Sequence, residues 1–139
     1  MTSLIVDASV AVKWVISEPG RSAAVSLLGL YEADRIYLAA PRLIVHEVAS
    51  TLSKLSRRKK IPNSNADYAF RSFELHRPEL VDDAELASPA LSLSLQHQMS
   101  YWDCLYLALA IERRADLITA DRRFYRSVAR HYPFVKLLG

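Results

Sequence analysis

Short continuous apolar runs alternate along the chain with longer stretches of helical periodicity. Leu4-Ile5-Val6 reads as a buried parallel strand, because a strand covered on both faces loses its apolar–polar alternation. Asp7 closes it, Ala8-Ser9 follow, and Val10 to Ile16 form an apolar helix broken at Pro19-Gly20. Ser22 is placed to cap a second helix over about Ala23 to Tyr31. Ile36 to Ala39 repeats the strand pattern and ends at Pro41. From about Leu43 a long helix carries Ile44, Val48, Leu52 and Leu55 at helical spacing. A further helix starts at Pro62-Asn63-Ser64 and stops before Pro78, and Leu80-Val81 makes a short strand. Ser88-Pro89 marks the next helix, with proline at its first position, running to about Gln98. Leu117 to Ala120 is another buried strand, Arg122 to about His131 another helix, and Phe134 to Leu137 a last edge strand.

Between Met99 and Arg123 the pattern changes character. Trp102, Leu105, Tyr106, Leu109 and Ala110 recur at helical spacing, while Leu107 and Ile111 fall on the opposite side. A helix apolar almost all round is buried on most faces. Asp103 nevertheless stands in its first turn, and Asp121 ends the strand that follows. A buried carboxylate without compensation is costly. Capping accounts for some of this acidity: Ser100-x-x-Asp103 fits a capping-box variant, and Asp121 suits the N-cap of the helix beginning at Arg122.

Strands alternating with helices predict one α/β domain over residues 1–139, with a mostly parallel central sheet flanked by helices. In such sheets, sites form beyond the carboxyl ends of the strands. Asp7 and Asp121 stand at strand ends, and Glu47 and Asp103 in early turns of helices bordering the same crevice. Independent caps explain Asp7, Asp103 and Asp121, but not Glu47, which lies on an apolar helix face. Four converging acids repel and raise one another's pKa. A hard divalent cation with oxygen ligands removes that repulsion, and Mg²⁺ or Mn²⁺ can activate water against a phosphodiester.

Charge sharpens this picture. The chain has 139 residues, a formal net charge of +3 and one cysteine. A single cysteine excludes an intramolecular disulfide framework and a multi-Cys zinc site, and Cys104 inside the apolar helix is expected in the core. Arg57-Arg58-Lys59-Lys60 is a basic run, and arginines including Arg122 and Arg123 crowd the C-terminal third. Clustered cations suit a phosphate backbone, although a run such as 57–60 also suits a solvated helix face. No leader or membrane span is visible, so a cytoplasmic location is expected. His46-Glu47 lacks the second histidine of a zinc-protease motif, no glycine-rich phosphate loop is present, and Asp7-x-Ser9 lacks the second acid of an aspartyl-phosphate pair. His46, His76, His97 and His131 show no metal-ligand spacing.

Taken in order, Val-Asp7-Ala-Ser9, Pro41…Glu47-Val-Ala, Tyr-Trp-Asp103…Leu-Tyr-Leu-Ala-Leu-Ala and Leu-Ile-Thr119-Ala-Asp121-Arg-Arg-Phe resemble the PIN-domain ribonucleases, most of all toxins of the VapC type. The resemblance covers nearly the whole chain. It implies a PIN-like fold and a Mg²⁺- or Mn²⁺-dependent endoribonuclease inhibited by a cognate antitoxin, commonly a homodimer. It also implies a metal site at Asp7, Glu47, Asp103 and Asp121. Asp7 and Asp103 would be the principal ligands, with Glu47 and Asp121 acting more through water. Ser9 and Thr119 match positions whose hydroxyls support the acids. Cys104 departs from the alanine that often follows the central acid. Arg122, Arg123, Arg57, Arg58, Lys59 and Lys60 are the candidates for RNA backbone contacts. A non-catalytic RNA- or protein-binding module and a DNA or flap nuclease of the same architecture are the alternatives.

Overall fold

Five strands and seven α-helices account for the computed structural model, which describes residues 1–139. β1 (Thr2–Val6) leads through α1 (Ala8–Val15) and α2 (Arg21–Glu32) to β2 (Ile36–Pro41). Helices α3 (Leu43–Arg57) and α4 (Asn63–His76) lead to β3 (Glu79–Val81). A 3-10 turn at Ala84–Leu86, then α5 (Ala87–His97) and α6 (Tyr101–Arg113), return the chain to β4 (Asp116–Thr119). The chain ends through α7 (Arg122–Val128) and β5 (Val135–Leu137).

The sheet order is β3-β2-β1-β4-β5, and every pairing is parallel. Thr2 sits opposite Ile36, Ile5 opposite Leu117, and Thr119 opposite Leu137. The chain winds outward from β1 to β3, crosses back, and winds outward the other way through β4 and β5. Right-handed crossovers in opposite directions place the helices on opposite faces. Accordingly α1 packs against α2, α3 and α4, whereas α6 packs against α5 and lies on β1 and β2. The winding direction reverses between β1 and β4, and a parallel sheet opens a crevice at that point beyond its carboxyl ends.

The apolar stretch expected to be buried is buried. Cys104 through Ala110 form seven consecutive buried positions of α6, and Cys104 packs in the core. Ile5 and Val6 of β1 are fully buried with them. Trp14 joins α1 to α2 by donating its Nε1–H to the Ala24 carbonyl at 2.9 Å.

Several local expectations are corrected. Helix α2 is capped by Gly20 rather than Ser22. Gly20 adopts φ +89°, a left-handed conformation that favours glycine, and a Cβ there would press lightly on the Lys13 side chain, 3.3 Å from its Cδ. Helix α5 runs on directly from the 3-10 turn and starts at Ala87, which makes Pro89 its third residue. Proline is still tolerated there because the first-turn amides have no partner within the helix. Ser100 occupies the N-cap of α6 but makes no side-chain capping bond. Trp102, assigned by spacing to the buried face, is 56% exposed; it borders a surface depression with Leu43 and Ala84 instead of packing into the core. Helix α7 ends at Val128 rather than near His131.

Leu107 is fully buried and Ile111 is 42% exposed on the same helix. Leu107→Ala should cost about 2–5 kcal/mol of unfolding free energy, as for a cavity in a close-packed core, and Ile111→Ala much less. Chemical denaturation of both variants checks this; equal losses would mean that α6 is not enclosed as described.

Candidate active site

The site is built where β1 and β4 end. Asp7 directly follows β1 and becomes the N-cap of α1, so one residue both closes a strand and opens a helix. Its Oδ1 accepts hydrogen bonds from the Ser9 amide (3.1 Å), the Ser9 hydroxyl (2.5 Å) and the Val10 amide (3.4 Å). Its Oδ2 accepts from the fully buried Thr119 hydroxyl at 2.5 Å. Ser9 Oγ in turn accepts from the Ala120 amide at 2.8 Å, and Thr119 Oγ1 from the Asp121 amide at 3.1 Å. The two hydroxyls thus link a buried carboxylate to the outgoing backbone of β4. Burial pushes the Asp7 carboxyl up to about 6 even against these donors, and the Glu47 charge adds to the rise.

Asp121 caps α7, with Oδ1 accepting from the Arg123 and Phe124 amides at 2.9 and 3.0 Å. The capping reading of this residue is therefore correct, and its placement beside the other acids holds as well. Glu47 stands in the second turn of α3, where the Tyr106 hydroxyl of α6 donates to its Oε1 at 2.6 Å. Burial raises the Glu47 carboxyl, opposed by that bond and by the Lys54 charge. The Tyr106 hydroxyl, buried and next to Glu47, is driven well above its usual range, so it remains a donor.

Asp103 differs from the other three. No protein donor hydrogen-bonds its carboxylate, whereas Asp7, Glu47 and Asp121 are each held. Burial, and then the charges of Glu47, Asp7 and Asp121, push it up to about 6. All four acids thus act on one locus, and the carboxylate feeling the most repulsion has the fewest partners. The donor set is entirely oxygen, which suits a hard divalent cation. No three of these acids close around one point as a finished ligand cage would. That geometry is compatible with an ion held through one or two carboxylates that keeps several waters.

Two clefts meet at this locus. The first, about 390 Å³, is lined by all four acids and by Lys13 and Lys54. The second, about 490 Å³, shares Asp103 and Asp121 and continues between α5 and α7 past His97, Arg123 and Ser127. Of the basic residues singled out in the sequence, only Arg123 lines either cleft; Arg122, Arg57, Arg58, Lys59 and Lys60 line neither. The 57–60 run lies at the far end of α3. Arg57 is ten residues from Glu47, roughly 15 Å along a helix. Lys59 and Lys60 border a separate depression beside Asn63.

Sequence reasoning missed Tyr106, Lys54 and Lys13. The signals were helical spacings: Tyr106 is three residues after Asp103, and Lys54 is seven after Glu47, so each shares its acid's helix face. Lys13 follows Ser9 by four, but its Nζ is committed to Glu18 Oε1 (3.1 Å) and the Pro19 carbonyl (2.7 Å).

A family model described as PIN domain matches residues 4–129. The chain belongs to the PIN domain family. It is 30% identical over 128 residues to Ribonuclease VapC3 of Pyrobaculum aerophilum, spanning 86% of this chain and 90% of that protein. Among solved structures, PAE2754 from Pyrobaculum aerophilum superposes with a TM-score of 0.70 at 19% identity, over 91% of this chain and 86% of that one. VapBC2 from Rickettsia felis, solved bound to a DNA fragment from its promoter, gives 0.64 at 18% identity over 98% and 97%. At these identities the structural matches establish the PIN fold, in which Asp7, Glu47, Asp103 and Asp121 share one crevice.

The raised carboxyls make the cation-free protein pH-sensitive. An acid whose pKa is higher folded than unfolded stabilises the fold below its unfolded pKa, and that stability is lost as pH rises through the folded value. Asp7 and Asp103, both near 6, should therefore lower stability between about pH 4 and pH 6.5 in EDTA. Asp103→Asn should flatten part of this slope and raise unfolding free energy at pH 7.5 by about 1 kcal/mol, a figure discounted for its partial exposure. Thermal melts across that range test it; a mutant that melts below wild type at pH 7.5 would contradict the repulsion.

Proposed function

We propose that this PIN domain is an endoribonuclease that hydrolyses RNA phosphodiesters with the aid of Mg²⁺ or Mn²⁺, and that it is the toxin of a toxin–antitoxin pair. The observation that carries the reading is Asp103: a half-buried carboxylate without a protein donor, repelled by three other acids, at the junction of two open clefts. The relative named a ribonuclease supports the choice of RNA.

Asp7 and Asp103 are the residues that would hold the ion directly, with Glu47 and Asp121 reaching it through water. When bound, a divalent cation supplies charge that neutralises the cluster, polarises the phosphodiester and activates the attacking water. The chain's own residues do the positioning. Ser9 and Thr119 fix both oxygens of Asp7, so its carboxylate cannot rotate away. Tyr106 fixes Glu47 from the opposite helix. Asp121 is fixed by the α7 amides, which also stabilise its negative charge. Lys54 and Arg123 belong to no ion pair and are free to take up phosphate charge. A lysine on one side and an arginine on the other would counter the repulsion between an acidic crevice and a polyanion.

Purified protein freed of inhibitor should cut structured RNA with Mg²⁺ or Mn²⁺ and stop in EDTA. Asp7→Asn with Asp103→Asn should abolish cutting and most of the melting-temperature rise caused by Mn²⁺ in wild type. Cutting that persists in EDTA, or an undiminished Mn²⁺ shift in the double mutant, would refute the reading.

An acid-lined crevice also suits a cationic inhibitor, since one arginine can pair bidentately with a carboxylate. We assign that role to a cognate antitoxin. Co-expression with a small open reading frame adjoining this one should yield a co-purifying, inactive complex. Separate elution with activity unchanged on mixing would remove the assignment.

A further inference from the structure

The second cleft is lined by side chains that take no part in holding the acids, although the Arg123 and Phe124 amides cap Asp121. It shares Asp103 and Asp121 with the first cleft, runs between the end of α5 and the start of α7, and is not lined by Lys54, which borders the first cleft alone. Its volume, about 490 Å³, lies within the range of pockets that enclose a small ligand. Its walls are mixed. Arg123 is exposed and belongs to no ion pair. The Ser127 hydroxyl donates to the Phe124 carbonyl at 2.7 Å and the Gln98 amide to the Leu95 carbonyl at 2.8 Å, which leaves the Ser127 oxygen as an acceptor and the second Gln98 N–H as a donor; Met99 and Phe124 add apolar surface. His97 is held in place: its Nε2 meets the Tyr132 hydroxyl at 2.7 Å, and its ring lies 5.5 Å from that of His131 at a shallow 33°. An unpaired cation beside neutral polar groups and a flat ring is the combination that holds a phosphate together with a base.

We infer that this cleft is a subsite for one nucleotide of single-stranded RNA on one side of the bond to be cut, while the Lys54 cleft holds the strand on the other side. The inference rests on the ribonuclease reading and adds to it the strand's path. The shared residues make the case. Asp103 and Asp121 line both clefts, so a phosphodiester placed over them has a neighbour in each. Arg123 takes the phosphate on one side and Lys54 that on the other, while His97 and Ser127 face the base.

A charge-resolved binding experiment tests this. The probe is a fluorescein-labelled, single-stranded RNA of mixed sequence whose cut position has been mapped with wild-type protein. A series of the same oligomer carries a neutral methylphosphonate at one linkage at a time. Affinity is read by anisotropy in EDTA, independently of cutting. Wild type should lose about tenfold at one linkage on each side of the cut, the scale of one charge-assisted contact. Arg123→Ala, an exposed substitution, should bind unmodified RNA about tenfold more weakly and become indifferent to neutralisation on one side only. Lys54→Ala should become indifferent on the opposite side. Replacing the base beside the Arg123-dependent linkage with an abasic ribose should cost wild type several-fold and cost Ser127→Ala less. If both variants lose sensitivity on the same side, or Arg123→Ala stays sensitive at every linkage, the subsite is overturned while the ribonuclease reading stands. A wild-type protein that neither binds nor cuts the RNA would bring down the ribonuclease reading itself.

Discussion

The carboxylate of Asp7 is the constraint on which this architecture turns. It ends the central strand, caps the first helix, and takes hydrogen bonds from Ser9 and from Thr119 of the neighbouring strand. The consecutive β1 and α1 are joined to the sequence-distant β4 through one buried carboxylate. Without those donors the burial would be prohibitive; with them, the ends of β1 and β4 are locked together where the winding of the sheet reverses. That lock gives the crevice its floor. A parallel sheet supplies such an opening from topology alone, but topology does not fix side-chain positions within it. The Asp7–Ser9–Thr119 network does.

Around that floor the acids divide by how completely the protein satisfies them. Asp7, Glu47 and Asp121 are each anchored by donors from their own or a neighbouring element. Asp103 is not, and its carboxyl is raised by burial and by the three others. A structure optimised for stability alone would place a donor opposite Asp103 or replace it with a neutral residue. Keeping it unpaired leaves a negative focus that only a proton or an external cation can relieve. The stability given up at such a position is small against the whole fold, because a thirty-one-residue apolar core lies directly beneath it.

Much of this was legible in the sequence. Strand and helix order followed from where continuous apolar runs gave way to helical periodicity, and the four acids stood out because Asp7 and Asp121 closed strands while Asp103 and Glu47 stood in early turns of helices bordering the same crevice. Glu47 was the informative one: an acid on an apolar helix face has no capping explanation. Less could be read where tertiary context overrode local signals. Pro89 marks the third residue of α5 rather than the first because a 3-10 turn feeds directly into the helix. Trp102 is exposed although its spacing matches the buried face, because helical periodicity does not reveal which turns of a helix its neighbours cover. The basic residues were least legible. Adjacent arginines look alike in sequence, yet on a helix they point about 100° apart, and only Arg123 of the Arg122–Arg123 pair lines a cleft. Composition located cationic segments; only the fold sorted them by direction.

The burial of α6 on nearly every side also acquires a meaning beyond packing. Asp103 and Tyr106 project from its first turns toward the crevice, while Cys104 through Ala110 are enclosed. A helix free to slide or rotate would carry Asp103 away from Asp7 and withdraw the Tyr106 hydroxyl from Glu47. Close-packed cores resist such shifts because they lack voids to move into. Tyr106 belongs to both environments at once: its ring is part of the core, and its hydroxyl, kept protonated by burial and the Glu47 charge, reaches the acid. Rigidity of the core is thus transmitted to the acids through one side chain. The electrostatic strain concentrated on Asp103 is held in place by the same apolar contacts that fold the chain.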